Sequence, residues 1–219
     1  MTDFNEHFEY LKGFLTPERL EKIERKSYES SDFVLPIMED VYQFRNAAAI
    51  VRSAEASAFH KIIALESKNV FDPNLAVTKG ADTWVEVEKR PHQLESLQEI
   101  KNQGYKIVAV SPENNATSLP DFQIHEPVAL VFGTEWHGVT DDFLEFCDET
   151  LAIPMYGFTQ SYNVSVAAAI CMYDLKQKLI KSGVEHRLSE EKRMQLKIRW
   201  AVNSIRSGHE IYQDFLKKK

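Results

Sequence analysis

Cysteine is almost absent. Cys147 and Cys171 are the two in 219 residues, and neither belongs to a CxxC. This excludes a disulfide framework and a thiolate zinc or redox motif, and it suits a reducing cytoplasm. No apolar run approaches the roughly 18 residues that cross a bilayer. The opening Met1-Thr2-Asp3-Phe4-Asn5-Glu6 lacks the basic and apolar regions of a signal peptide, so a cytoplasmic location is expected. Internal repeats and low-complexity tracts are missing too. What is present is an ordinary globular balance, 43% hydrophobic and 27% charged residues, enough to bury a core. The length fits one domain with terminal extensions, or two small domains.

Charge is unevenly spread. The chain carries a net charge of -7, yet residues 176–219 hold twelve Lys/Arg against five Asp/Glu, so that segment is +7 and the other 175 residues are -14. Such asymmetry fits a basic surface kept for a polyanion. It also fits a solvated helix face that balances an acidic body.

The apolar pattern alternates strands with helices. Residues 16–26 read as a short helix, with Thr16 as cap and Pro17 in the first turn. Phe33 to Met38 reads as a strand, and 42–58 as a helix with Ala47, Ile50, Val51 and Ala54 inward. Lys61 to Leu65 and Trp84 to Val87 read as strands, followed by a helix over 91–103 that ends before Gly104. Lys106 to Val110, Val128 to Phe132 and Leu151 to Ile153 are buried-type strands. Residues 163–181 form a long helix that stops near Gly183. A basic helix begins after Leu188, with Ser189 as cap. Its apolar stripe is Met194, Ile198, Ala201 and Ile205, and its other faces show Arg193, Lys197, Arg199 and Arg206. The pattern predicts an α/β fold, a mostly parallel sheet with helices on both faces. The divisions expected are an N-terminal helical extension (1–30), an α/β core (31–183) and a basic C-terminal helical extension (184–219).

Three polar clusters stand out. In Arg45-Asn46-Ala47-Ala48-Ala49-Ile50-Val51-Arg52, Asn46 and Arg52 lie nearly two helical turns apart on roughly one side. Arg52 suits a phosphate or carboxylate clamp, or a structural pairing with Glu55 or a sheet-end carbonyl. In Phe132-Gly133-Thr134-Glu135-Trp136-His137-Gly138-Val139-Thr140 the glycine spacing invites comparison with a phosphate-binding loop. Val139 stands where the lysine belongs, which rules that out. Glu135 is placed to touch a ligand or a catalytic Asn. His137 is an acid–base candidate or a structural histidine, and with no second His or Cys nearby no metal is expected. The third cluster, Ile153-Pro154-Met155 through Ser161-Tyr162-Asn163-Val164-Ser165, passes from a strand through a turn into a helix. Open α/β sheets hold small ligands in such crevices. Ser161 and Asn163 read equally as plain helix caps.

In order and spacing, these clusters resemble the three motifs of the SPOUT superfamily of RNA methyltransferases, in its TrmH branch of tRNA guanosine-2′-O-methyltransferases. Asn46 and Arg52 match the first motif, and Gly133 and Glu135 the second. Ile153-Pro154-Met155, Ser161, Asn163, Ser165 and Val166 match the third. The likeness covers about residues 31–180, and both extensions look like those of tRNA-specific members. Tyr162 and the Trp136-His137 pair depart from the usual pattern. Trp136 would then stack on a base or plug the fold.

The resemblance implies a C-terminal deep trefoil knot, an exception to the usual topology, whose loops around 133–138 and 153–163 hold S-adenosylmethionine. It implies a homodimer in which Arg52 of one subunit reaches the cofactor of the other, with helix 163–181 as the dimer surface. The implied product is a 2′-O-methylated ribose, typically the D-loop guanosine at tRNA position 18. Catalytic roles fall to Arg52, Asn46, Glu135, Ser161 and Asn163. Backbone groups of Val131, Gly133, Ile153, Met155 and Tyr162 hold the adenine, with Ser111 in the same pocket. RNA contacts fall to Arg45, Arg187, Arg193, Lys197 and Arg199, and the reaction needs no metal. A guanidinium hardly deprotonates, so Arg52 either serves as base or, more in keeping with its chemistry, binds phosphate and steadies charge on the attacking oxygen. Methylation of ribosomal RNA or another tRNA position, and a noncatalytic RNA-binding role on the same fold, are the alternatives.

Overall fold

The computed structural model describes residues 4–41, 43–67, 80–113, 115–134 and 136–218. The elements run α1 (Phe4–Lys12), α2 (Pro17–Glu29), β1 (Val34–Glu39), α3 (Phe44–Ala56), β2 (Lys61–Glu66), β3 (Glu86–Pro91), α4 (Leu94–Asn102) and β4 (Lys106–Val110). They continue with β5 (Thr117–Ser118), β6 (Val128–Phe132), α5 (Asp141–Phe146), β7 (Glu149–Ala152), α6 (Val164–Ser182), α7 (Glu190–Ser204) and α8 (Gly208–Lys217). Two compact units result: Asp32–His186, and Met1–Ser31 with Arg187–Lys219. No helix among the described residues is long and apolar enough to cross a membrane.

The larger unit is a seven-stranded sheet in the order β3-β2-β1-β6-β4-β7-β5, and every pair in it is parallel. Parallel sheets need both faces covered, so their central strands carry unbroken apolar runs. β6, Val-Ala-Leu-Val-Phe, is buried at all five positions. Side chains alternate across the sheet. Val34, Met38, Val128, Leu130 and Phe132 join α3 and α6 in one core, through Ala47, Ile50, Val51 and Ala54 and through Ala168, Cys171, Met172, Leu175 and Leu179. Leu35, Ile37, Ala129 and Val131 join α4 and α5 in the other, through Leu97, Ile100 and Phe143. Each large side chain buried in this way contributes roughly 1.5–3 kcal/mol.

Several local signals act as read. The Thr16 hydroxyl caps α2 by accepting from the Arg19 N–H, with Pro17 in the first turn. The Ser189 side chain caps α7. Gly104 and Gly183 take positive φ beyond α4 and α6, at 92° and 71°. Two strands sit elsewhere than expected. Trp84 closes a short 3-10 turn over Ala81–Thr83, and β3 runs instead through the charged Glu86–Pro91. Among the described residues this is an edge strand paired only with β2, so it needs no apolar run. β7 begins at Glu149 and ends before Ile153.

The smaller unit is helical, with α1 and α2 both packed on α7 and α8 against α7. Phe8, Leu11, Ile23, Leu196, Ile198, Trp200, Ala201 and Val202 are buried within it. The stripe expected on α7 is therefore only partly right. Ile198 and Ala201 are buried, but Ile205 is the C-cap residue and Leu196, Trp200 and Val202 also turn inward. Near the termini, His7 Nδ1 and the Tyr212 hydroxyl share a hydrogen bond of 2.7 Å, and the Tyr10 and Phe215 rings stack at 4.3 Å.

Lys197 corrects an expectation. The resemblance places it among the RNA contacts, yet it is 7% exposed. Its ammonium pairs with Glu24 at 2.8 Å and lies 4.4 Å from the centre of the Phe8 ring. Buried charges need such partners, and its aliphatic stem packs as a hydrophobe. Lys197→Ala is expected to lower stability by about 1–3 kcal/mol in a urea titration, and to leave the salt dependence of RNA binding unchanged.

Candidate active site

Three neighbouring strands end at one cleft. In the order β6-β4-β7, their carboxyl ends deliver Phe132, Gly133 and Thr134, then Val110, Ser111 and Pro112, then Ile153 and Met155. Gln160, Ser161, Tyr162 and Asn163, with Val164 and Ala167 of α6, close the far side, and Trp136, His137 and Gly138 stand at the loop after β6. The cleft holds about 480 Å³, the size of a small-ligand pocket. The crevice beyond the carboxyl ends of parallel strands is where such sheets bind ligands.

The loop after β6 is a pinned turn. Thr134 and Gly138 exchange backbone hydrogen bonds of 2.9 and 3.0 Å, and the His137 N–H donates to Thr134 Oγ1 at 3.1 Å. Gly133 is required there: a Cβ on it would stand 2.0 Å from the Gly138 carbonyl carbon. Just beyond the turn, the Thr140 hydroxyl donates to Glu39 at 2.6 Å, and the Thr140 N–H faces both Glu39 oxygens at 3.3 and 3.2 Å. His92 Nε2 lies 2.9 Å from the same carboxylate, and its ring stacks on Phe143 at 4.6 Å. Glu39 is fully buried at the end of β1, so its partners tie the cleft loop to the sheet. Sequence reasoning missed it. The available signal was a carboxylate closing the apolar run Val-Leu-Pro-Ile-Met.

Asn163 unites two roles that the sequence left open. Its Oδ1 caps α6, accepting from the Ser165 N–H at 2.9 Å and the Ser165 hydroxyl at 2.7 Å. Its Nδ2 donates to Asn46 Oδ1 at 3.2 Å, and the Ser165 hydroxyl reaches the same oxygen at 3.4 Å. Asn46, 8% exposed, also donates to Gln43 Oε1 at 3.4 Å. The start of α3 is thus joined to the cleft wall through residues 117 positions apart.

Of the expected site residues, Ser111, Gly133, Ile153, Met155, Ser161, Tyr162 and Asn163 line the cleft, and Asn46 touches it through Asn163. Val131 does not line it. It is fully buried in the core on the α4 and α5 face, because its side chain points to the opposite side from Leu130 and Phe132. Glu135 lies outside the described residues. Arg52 is exposed on α3, about 9 Å along the helix from Asn46, and is not among the cleft-lining residues. Among the described residues it forms neither of the structural pairings considered for it, with Glu55 or a carbonyl. Arg45 is exposed in the first turn of α3. In the helical unit, the Arg187 and Arg193 guanidiniums lie 4.5 and 5.9 Å from the Tyr28 ring centre, and Arg199 is half-buried on α7. Trp136 is 82% exposed, so it does not plug the fold. Burial pushes the Cys147 and Cys171 thiols up to about 12, so both stay protonated at neutral pH.

The chain matches the SpoU rRNA Methylase family over residues 34–173. A tRNA (guanosine(18)-2'-O)-methyltransferase of Borreliella burgdorferi is 34% identical over 190 residues, covering 87% of each protein. One of the same name from Aquifex aeolicus is 29% identical over 86% of this chain and 90% of its own. Among solved structures, the A. aeolicus TrmH/SpoU tRNA modifying enzyme superposes with a TM-score of 0.76 at 28% identity, over 87% of this chain and 98% of that one. The SpoU methyltransferase AviRb from Streptomyces viridochromogenes, in complex with the cofactor AdoMet, gives 0.62 at 25% identity, over 70% of this chain and 62% of its own. The family match runs from the first residue of β1 into α6. It takes in the seven strands and the three loops of the cleft, and the chain belongs to the SpoU rRNA methylase family.

Proposed function

We propose that this protein transfers the methyl group of S-adenosylmethionine to the 2′-hydroxyl of a tRNA ribose, at the D-loop guanosine at position 18. The observation that carries the reading is the cleft itself. Three strand ends and the start of α6 converge on it, and Asn163, bonded to Asn46 and Ser165, stands in its wall. Its lining fits the cofactor. Apolar faces of Val110, Phe132, Ile153 and Met155 suit an adenine, and Ser111, Thr134 and Ser161 offer hydroxyls, with no carboxylate among the described lining residues. When bound, the cofactor supplies an electrophilic methyl group on a sulfonium. Backbone groups at Gly133, Ile153, Met155 and Tyr162 hold its adenine, and Ser161 shapes the loop around it. Asn46 and Asn163 orient the ribose, with Glu135 assigned to the same task. Arg52 binds the neighbouring phosphate and stabilises charge on the attacking oxygen.

The reading includes a trefoil knot formed by the loops after β6 and β7. Its support is that β6 inserts between β1 and β4 and that both loops face one cleft. It includes a homodimer through α6. That helix buries one side against α3 and exposes Val166, Tyr173 and Ile180 on the other, spaced seven residues apart and so on nearly one line. A partner's Arg52 then completes the cleft that one chain leaves without it. Arg45, Arg187, Arg193 and Arg199 supply salt-sensitive phosphate contacts, and the folded RNA is read largely by shape. The location is cytoplasmic, in keeping with two unpaired thiols.

Gly133→Ala is expected to weaken S-adenosylmethionine binding by at least about tenfold in calorimetric titration, since the added Cβ prevents the turn from closing. Substrate class is tested by offering labelled cofactor with unmodified tRNA or with ribosomal RNA. Label on tRNA supports the reading, and label confined to ribosomal RNA overturns it.

A further inference from the structure

The proposed reaction, on which this inference rests, brings a ribose hydroxyl to the cleft. A loop nucleotide turned toward the cleft to present that hydroxyl brings its base to the rim, where an unstacked base stacks on an aromatic side chain. Trp136 is that kind of surface. It lines the cleft and is nevertheless 82% exposed, whereas Trp200 is 6% exposed and Trp84 is half-buried. An indole left in water forgoes the burial that aromatic side chains ordinarily gain. The described residues flanking it are tied together by the paired Thr134–Gly138 hydrogen bonds, the His137-to-Thr134 bond and the buried Glu39 clamp on Thr140. An aromatic side chain has only two rotatable χ angles and forms contacts at little ordering cost.

We propose that Trp136 is the stacking platform for the nucleobase of the target nucleotide, holding the extruded base at the rim while its ribose faces the cleft. Stacking accepts any base, because every base has a π-face, and it offsets part of what the base loses on leaving its stack. The indole thus supplies affinity for an unstacked nucleotide, and discrimination among bases lies with other contacts.

The test pairs a protein change with a substrate change. Trp136→Ala is expected to lower kcat/KM for tRNA by about 5- to 100-fold, with S-adenosylmethionine affinity and oligomeric state unchanged. Trp136→Phe should recover most of that loss and Trp136→Leu little of it. On a tRNA whose target nucleotide keeps its ribose but lacks its base, the wild type and Trp136→Ala should react at the same rate. The inference is overturned if Trp136→Ala matches the wild type on intact tRNA, or if its defect persists on the base-less substrate. It is also overturned if the defect tracks weaker cofactor binding or loss of the dimer. A wild type that methylates tRNA while Trp136→Ala changes nothing leaves the methyltransferase reading standing. A wild type that labels no RNA removes both.

Discussion

Arg52→Ala is expected to lower the rate of methyl transfer by about 10²- to 10³-fold, the usual effect of removing a group that stabilises charge in the transition state. Binding of S-adenosylmethionine should be unchanged, because the strand-end loops that line the cleft hold it, whereas Arg52 is assigned to the RNA phosphate and the attacking oxygen. Folding should be unchanged too. The side chain is exposed on α3 and pairs with none of the described residues, so its removal breaks no buried contact. Arg52→Lys should restore only part of the activity, since an ammonium lacks the planar fork that grips phosphate. Single-turnover kinetics with saturating cofactor measure the effect on the chemical step. Normal turnover by Arg52→Ala would remove Arg52 from the mechanism.

The second large effect concerns α6. Tyr173→Glu combined with Ile180→Glu places two charges on the exposed apolar line of that helix. A two-fold interface meets each change twice, and a buried unpaired carboxylate is strongly unfavourable. Light scattering should report a monomer, and methyl transfer should fall to the level of Arg52→Ala. Both follow if each cleft borrows Arg52 from its partner. Mixing Arg52→Ala with Gly133→Ala provides the converse. Each is defective alone, yet a mixed dimer holds one cleft with an intact turn facing an intact Arg52, so activity should return. A fully active monomer would contradict the shared site.

Much of this architecture was legible because its signals are local. The inward residues of α3, the apolar strands 106–110 and 128–132, the Thr16 and Ser189 caps and the stop at Gly183 each depend on a few neighbouring residues. The likeness to the RNA ribose methyltransferases also held, since each motif is a short run of neighbouring residues, on α3, after β6, and from the end of β7 into α6. Other features were not legible because they depend on distant partners. Strand order is one: nothing in Val128–Phe132 says that it lies between β1 and β4. Lys197 is another, a charge buried by Glu24, 173 positions away. The edge strand β3 hid because an edge tolerates charge, and α1 and α8 are short amphipathic segments, α8 without a side-chain capping bond at Ser207. Within the site, the cap reading of Asn163 and the functional one were opposed on sequence. The structure lets one side chain do both, through its two ends.

The most direct test of the central claim is to supply labelled S-adenosylmethionine with an unmodified tRNA transcript and map the product. The account predicts label on the ribose oxygen of the D-loop guanosine at position 18, and none when that nucleotide is made as its 2′-deoxy form. Label on a base, or label that survives the 2′-deoxy substitution, would contradict it.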